Sequence, residues 1–124
     1  MFDYSAAKKF LARRREQYTK NNLKRWEEAW QDAQKIIAMI QAEGHPRAIY
    51  QWGSVVHKER FREYSDIDIA VEGLKRVDDI FKIARKADDL TTFPVHLVEL
   101  EKIEPQYAEL IRHKGVKVYE CPLH

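Results

Sequence analysis

Tyr50-Gln51-Trp52-Gly53-Ser54, followed by Ser65-Asp66-Ile67-Asp68-Ile69-Ala70-Val71-Glu72-Gly73, decides the reading of this chain. Ile67, Ile69 and Val71 fall at every second position, the pattern of a strand with one apolar face. Successive strand side chains point to opposite faces, so Asp66 and Asp68 share the other one. Two adjacent carboxylates repel, and their burial is costly unless a positive charge compensates. A divalent cation is the usual compensation, and oxygen-only ligands favour Mg²⁺ or Mn²⁺. Gly53-Ser54 closes the β-prone run Ala48-Ile49-Tyr50-Gln51-Trp52. A Gly-Ser turn there can offer backbone N–H groups and a hydroxyl to a phosphate. The parts together point to a site for a metal–nucleotide complex.

Working outward, residues 5–43 contain no glycine or proline and read as helix, with Ser5 or Asp3 as cap. Leu23, Trp26, Trp30, Ala33, Ile37 and Ile40 recur in steps of three and four and make an apolar stripe. Asn21-Asn22 is a place where this segment could divide, and Gly44 and Pro46 end it. Residues 48–52 read as the first strand, 55–64 as a charged loop and 66–72 as the second strand. Val77, Ile80, Phe81, Ala84, Ala87 and Leu90 outline a second amphipathic helix. Residues 94–100 read as a third strand. Pro105 suits the first turn of a short helix ending at Gly115, and 116–119 form a last strand. The expected fold is α/β (α+β), a small mixed sheet packed against helices.

A length of 124 residues suits one domain, 1–124, with a helical segment over 5–43 and a core over 47–120. Charged residues make up 34% of the chain and the net charge is only +2, which by itself gives no argument for nucleic acid. The lone Cys121 excludes an internal disulfide and fits a reducing compartment. The apolar runs fall well short of the ~20 residues of a membrane helix. The opening Met1-Phe2-Asp3-Tyr4-Ser5 has no signal-peptide core, so a cytoplasmic location is expected.

The Gly53-Ser54 and Asp66-x-Asp68 runs, with Phe93-Pro94-Val95-His96-Leu97-Val98-Glu99-Leu100, resemble the minimal nucleotidyltransferase (MNT) family of the polymerase-β-like nucleotidyltransferase superfamily. The resemblance covers about residues 47–120. It implies that Gly53, Ser54 and Ser65 bind a nucleotide, and that Asp66 and Asp68 are catalytic and hold Mg²⁺ or Mn²⁺. It also implies AMP transfer from ATP to an acceptor hydroxyl, with pyrophosphate leaving. Proteins of this family are commonly antitoxins whose partner is a helical HEPN-type toxin. The alternative reading is a member that neutralises its partner by binding alone. The chain is compatible with a homo-oligomer.

Position 96 departs from the pattern. His96 stands where the family has a third carboxylate, and it reads as a metal ligand, a pH-sensitive group or a replacement that weakens the site. Glu99 is three residues on and faces the other side of a regular strand. The Ser54-to-Asp66 spacing of eleven residues is one longer than the family commonly has, and Val55-Val56-His57-Lys58 lacks its glycine. Lys58, Arg60 and Arg62 form a basic cluster beside the site, suited to a triphosphate or an acidic partner, or simply solvated. His57 and Arg13-Arg14-Arg15 read as solvated residues, and Trp26 and Trp30 as packing against the sheet.

Overall fold

The computed structural model describes residues 4–62 and 65–122. Its elements are α1 (Ser5–Gly44), β1 (Ala48–Trp52), β2 (Ile67–Glu72), α2 (Asp79–Asp89), β3 (Val95–Glu99), α3 (Pro105–Lys114) and β4 (Val116–Glu120). Two 3-10 turns, Gly53–Val56 and Lys58–Arg60, occupy the loop between β1 and β2. The four strands lie in the order β3-β2-β1-β4. β1 runs antiparallel to both β2 and β4, whereas β2 and β3 are parallel, so the sheet is mixed as expected. A parallel pair needs a crossover, and α2 supplies it.

The sheet is covered on both faces. Ile49, Ile67, Ile69 and Val71 pack with α1 and α2 residues Ala29, Ala33, Ile36, Ile40, Ile83 and Ala87. The opposite face sets Ala48, Tyr50, Ala70 and Val98 against Ala108 and Ile111 of α3. The odd residues of β2 therefore build the main core, and its even positions look toward α3. No helix among the described residues is long and apolar enough to cross a membrane.

Three details differ from expectation. α1 is one uninterrupted helix of 40 residues, and Asn22 is buried within it instead of breaking it. Its buried side is Ala29, Ala33, Ile36, Ile37 and Ile40, whereas Leu23 and Trp30 stay exposed. The small Ala29 and Ala33 let the helix approach the sheet, which rotates the buried stripe away from Leu23 and Trp30. Trp26 does pack inward, and its indole N–H donates to Val55 O at 2.8 Å. Tyr4 occupies the N-cap position, Ser5 is already helical, and Asp3 lies outside the described residues. At the other end His45 takes the left-handed step (φ 45°), a conformation in which His is enriched. A Cβ on Gly44 would meet Leu74 Cδ2 at 2.8 Å, the tip of a side chain that can turn aside.

In α2, Val77 precedes the helix and Phe81 is 72% exposed, contrary to the expected apolar face. The steps Ile80, Ile83, Ala87 carry the contact. α1 and α2 are also linked by charge. Glu43 pairs with Lys82 at 2.9 Å and Lys86 at 2.7 Å. Lys86 foremost, then Lys82, holds the Glu43 carboxyl down at about 2. A lowered carboxyl stabilises the fold above its ordinary pKa and stops doing so as pH falls through the folded value. The urea midpoint of Glu43→Gln is therefore expected below that of wild type at neutral pH. The two midpoints should converge as pH falls from about 4.5 toward about 2.

Candidate active site

The site begins where β1 ends. Gly53 adopts φ 76°, a left-handed step that glycine takes freely. That step turns the chain into the Gly53–Val56 helix, closed by His57 N–H donating to Ser54 O at 3.0 Å. A Cβ on Gly53 would overlap Asp68 Oδ2 and stand 3.0 Å from Asp68 Cγ. The carboxylate thus lies directly against the Gly53 backbone, a closeness that only glycine permits.

Sheet register sets the rest. Trp52 is opposite Asp68 across the antiparallel ladder, and Asp68 is level with His96 across the parallel one. His96 Nδ1 sits 3.4 Å from Asp68 Oδ1, and its ring is 5.8 Å from that of Trp52. Asp68 is largely enclosed, with its side chain 14% exposed, whereas His96 is 57% exposed. Burial pushes the Asp68 carboxyl up to about 6; the neighbouring His96 charge works against this and the Asp66 charge adds to it. Such an elevation marks a carboxylate taken out of water without full compensation by positive charge, and it clusters at functional sites.

Asp66 immediately precedes β2 and is half-buried, so it belongs to the approach to the strand, not the strand itself. Ser65 is buried, and its backbone N–H donates to Arg62 O at 3.0 Å. Its Oγ accepts from Arg62 N–H at 2.9 Å, which closes the loop and leaves the hydroxyl proton able to donate elsewhere. Glu99 pairs with Lys102 at 3.6 Å and takes no part in the Asp68–His96 contact. Among the described residues no three His, Cys, Asp or Glu side chains stand together as a ready metal cluster.

A cavity of about 630 Å³ opens beside this pair. Gly53 and Ser54 form one end, Val98 and the apolar side of α3 at Tyr107, Leu110 and Ile111 form a wall, and His57, Arg60 and Lys114 bring cationic or titratable groups to it. Of the basic cluster, Arg60 reaches this cavity, while Arg62 is occupied with the carbonyls of Glu59 and Phe61 at 3.0 Å each. The cavity suits an anionic ligand that also carries an apolar ring. The α3 wall escaped the sequence reading. Its signal is the spacing Tyr107, Leu110, Ile111, Lys114, one helical face that also carries two exposed apolar residues.

The likeness to known proteins falls on this architecture. No curated protein sequence matches the chain. Among solved structures, a chain of a toxin–antitoxin with AMP-PNP is 26% identical, with a TM-score of 0.60 over 73% of this chain and 74% of that one. A chain of the toxin–antitoxin MntA–HepT is 24% identical, with a TM-score of 0.55 over 73% of this chain and 71% of that one. A third match is in a complex of the tri-AMPylated Shewanella oneidensis HEPN toxin with its MNT antitoxin. It is 24% identical, with a TM-score of 0.56 over 75% of this chain and 73% of that one. The fold is that of nucleotidyltransferases and resembles the MNT antitoxins that pair with HEPN toxins. The sequence model described as Polymerase beta, Nucleotidyltransferase matches residues 34–121, which hold Gly53, Ser54, Asp66, Asp68 and His96 together, and the chain belongs to that family.

Proposed function

We propose that this chain is a cytoplasmic antitoxin-type nucleotidyltransferase that moves AMP from ATP to a hydroxyl of a helical, HEPN-type partner protein. The observation that carries the reading is the enclosed Asp68 carboxylate seated on Gly53, with its acid form favoured until about pH 6. That carboxylate wants a cation, and the adjacent Gly53-Ser54 turn can accept a phosphate. The 26%-identical match, in a toxin–antitoxin with AMP-PNP, supports an adenine nucleotide as donor.

The donor set fits Mg²⁺ or Mn²⁺. Hard cations of this size are usually held by one or two carboxylates, with substrate phosphate oxygens and waters filling the remaining positions. Asp66 and Asp68 would supply the carboxylates. When bound, the metal would neutralise charge on the triphosphate and polarise the reacting phosphorus–oxygen bonds. Gly53 N–H and the Ser54 hydroxyl then orient the phosphates, and Arg60 and Lys114 add positive charge from the cavity side. The acceptor oxygen forms its bond to the α-phosphorus as the bond to pyrophosphate breaks, and the hydroxyl proton passes to solvent water. Most of the rate comes from holding these groups in line.

A second reading rests on His96. An imidazole beside Asp68 removes one negative charge from the place of the third carboxylate and prefers softer metals. The chain would then neutralise its partner by contact. Incubation with radiolabelled ATP, Mg²⁺ or Mn²⁺ and the co-encoded helical protein separates the two. Label on the partner that vanishes in Asp66→Ala and Asp68→Ala supports transfer. An unlabelled but stable complex supports binding alone. In the transfer reading His96→Asp is expected to raise the Mg²⁺-dependent rate by about tenfold or more, in keeping with the weight of one placed charge. An unchanged rate would show that His96 is no lesion.

A further inference from the structure

The first half of α1 is an arm. Every residue from 5 to 21 is exposed, a span of about 25 Å at helical rise. The family match begins at residue 34, so this arm lies outside the matched span. It carries Lys8, Lys9, Arg13, Arg14, Arg15 and Lys20 against a single acid, Glu16. Like charges repel at i,i+4 between Lys9 and Arg13, and the first turn has no acid to favour the helix dipole. The packed second half of α1 nucleates this helix, and the arm itself buries no side chain over 5–21.

Leu11 and Tyr18, seven residues apart, continue the side of α1 that carries Asn22, Ala29, Ile36 and Ile40 in the core. The buried stripe therefore runs on past the sheet, and Leu11 and Tyr18 stay exposed among the described residues. Helical spacing puts Lys8 and Arg15 along one flank of Leu11 and Tyr18, and Arg14 along the other. Where the arm leaves the body, Tyr18, Asn22 and Leu23 face Lys58, Glu59 and Arg62 across a notch of about 280 Å³. One wall of this corner is the arm, and the other is the β1–β2 loop that also brings His57 and Arg60 to the candidate site.

We propose that this corner docks an acidic, amphipathic helix of the protein partner along Leu11 and Tyr18, with its carboxylates toward Arg14, Arg15 and Lys58. The proposal rests on the function above and names the surface the partner uses. An apolar seam with charged flanks is how a helix is recognised by another helix, the flanks choosing the partner's charge. A second copy would bring the same cations, and a phosphate backbone has no use for the seam.

Calorimetry of the full chain with the co-encoded HEPN-type protein tests it, with Arg14→Glu/Arg15→Glu as the charge variant and Leu11→Asp/Tyr18→Asp as the seam variant. Each double substitution is expected to weaken binding by about tenfold or more, as buried aromatic and Arg anchors do. The charge variant should also flatten the salt dependence, while AMP-PNP affinity stays as in wild type. Amides 5–21 should gain hydrogen-exchange protection only in the complex. If both variants bind the partner as tightly as wild type, the docking surface is overturned and the proposed function stands. If wild type binds AMP-PNP but no partner, both are overturned. If the variants lose only affinity for a single-stranded RNA 20-mer, or only self-association, the surface belongs to that other occupant and the proposal fails.

Discussion

Gly53→Ala is expected to cut nucleotide transfer by about a hundredfold or more and to destabilise the fold at the same time. The position combines two demands, a φ of 76° and contact with the Asp68 carboxylate. A non-glycine residue in the left-handed region costs on the order of 1–2 kcal/mol. The added methyl would also fall on Asp68 Oδ2, and the neighbouring strands give Asp68 little room, since Trp52 and His96 flank it in register. The carboxylate has to move or the turn has to open. Displacement of a reacting group by about 1 Å is enough for a loss of that size. The measurement is paired: thermal midpoint by calorimetry, and initial rate of label transfer with saturating Mg²⁺-ATP. A rate near wild type in a folded Gly53→Ala protein would remove Asp68 from the centre of the reaction. Ser54→Ala is the useful contrast, because it deletes a hydroxyl without touching backbone conformation. Its rate should fall without a comparable drop in midpoint.

What could be read in the sequence follows from which signals are local. Alternation in Ile67-Asp68-Ile69-Ala70-Val71 fixes a strand and its faces without tertiary information, and all four strands lie within one residue of the expected bounds at each end. Pro105 and Gly115 likewise bracket α3 by backbone chemistry alone. The face that a helix buries is different, because it depends on what the helix meets. The expected α1 stripe holds at Trp26, Ala33, Ile37 and Ile40, but the sheet takes Ala29 and Ile36 where Leu23 and Trp30 were expected. Phe81 misled for the same reason in α2, where Ile83 and Ala87 meet the core. The site divides along this line too. Spacing points to Gly53, Ser54, Asp66 and Asp68, the family resemblance adds His96, and register brings Asp68 level with His96. The second wall of the cavity, on α3, depends on a helix more than fifty residues downstream folding over the open face of the sheet. No local pattern announces that packing.

Asp68→Asn is expected to make the metal-free protein more stable while removing transfer by about a thousandfold, and the two effects share one cause. Asp68 lies almost out of solvent, and burial raises its carboxyl from 3.8 to about 6, with Asp66 adding to the rise and His96 opposing it. Between those values the folded chain keeps a proton that the unfolded chain has lost, so stability falls as pH climbs from about 4 to about 6 and then levels off. Ionising Asp68 at about pH 7.5 therefore costs the folded chain on the order of 2 kcal/mol. An isosteric amide avoids that cost, so in EDTA the variant should unfold at a higher temperature than wild type near pH 7.5. The advantage should shrink to nothing below about pH 3, under both values, where Asp68 is protonated in both states. With Mg²⁺ and AMP-PNP present the order should reverse. Wild type then gains the binding free energy of the metal–nucleotide complex, and the variant, with one carboxylate of the pair gone, gains little. A variant less stable than wild type in EDTA at about pH 7.5 would mean that His96 already compensates the Asp68 charge. A metal would then have little electrostatic reason to bind there, and binding without catalysis would be the better account of this chain.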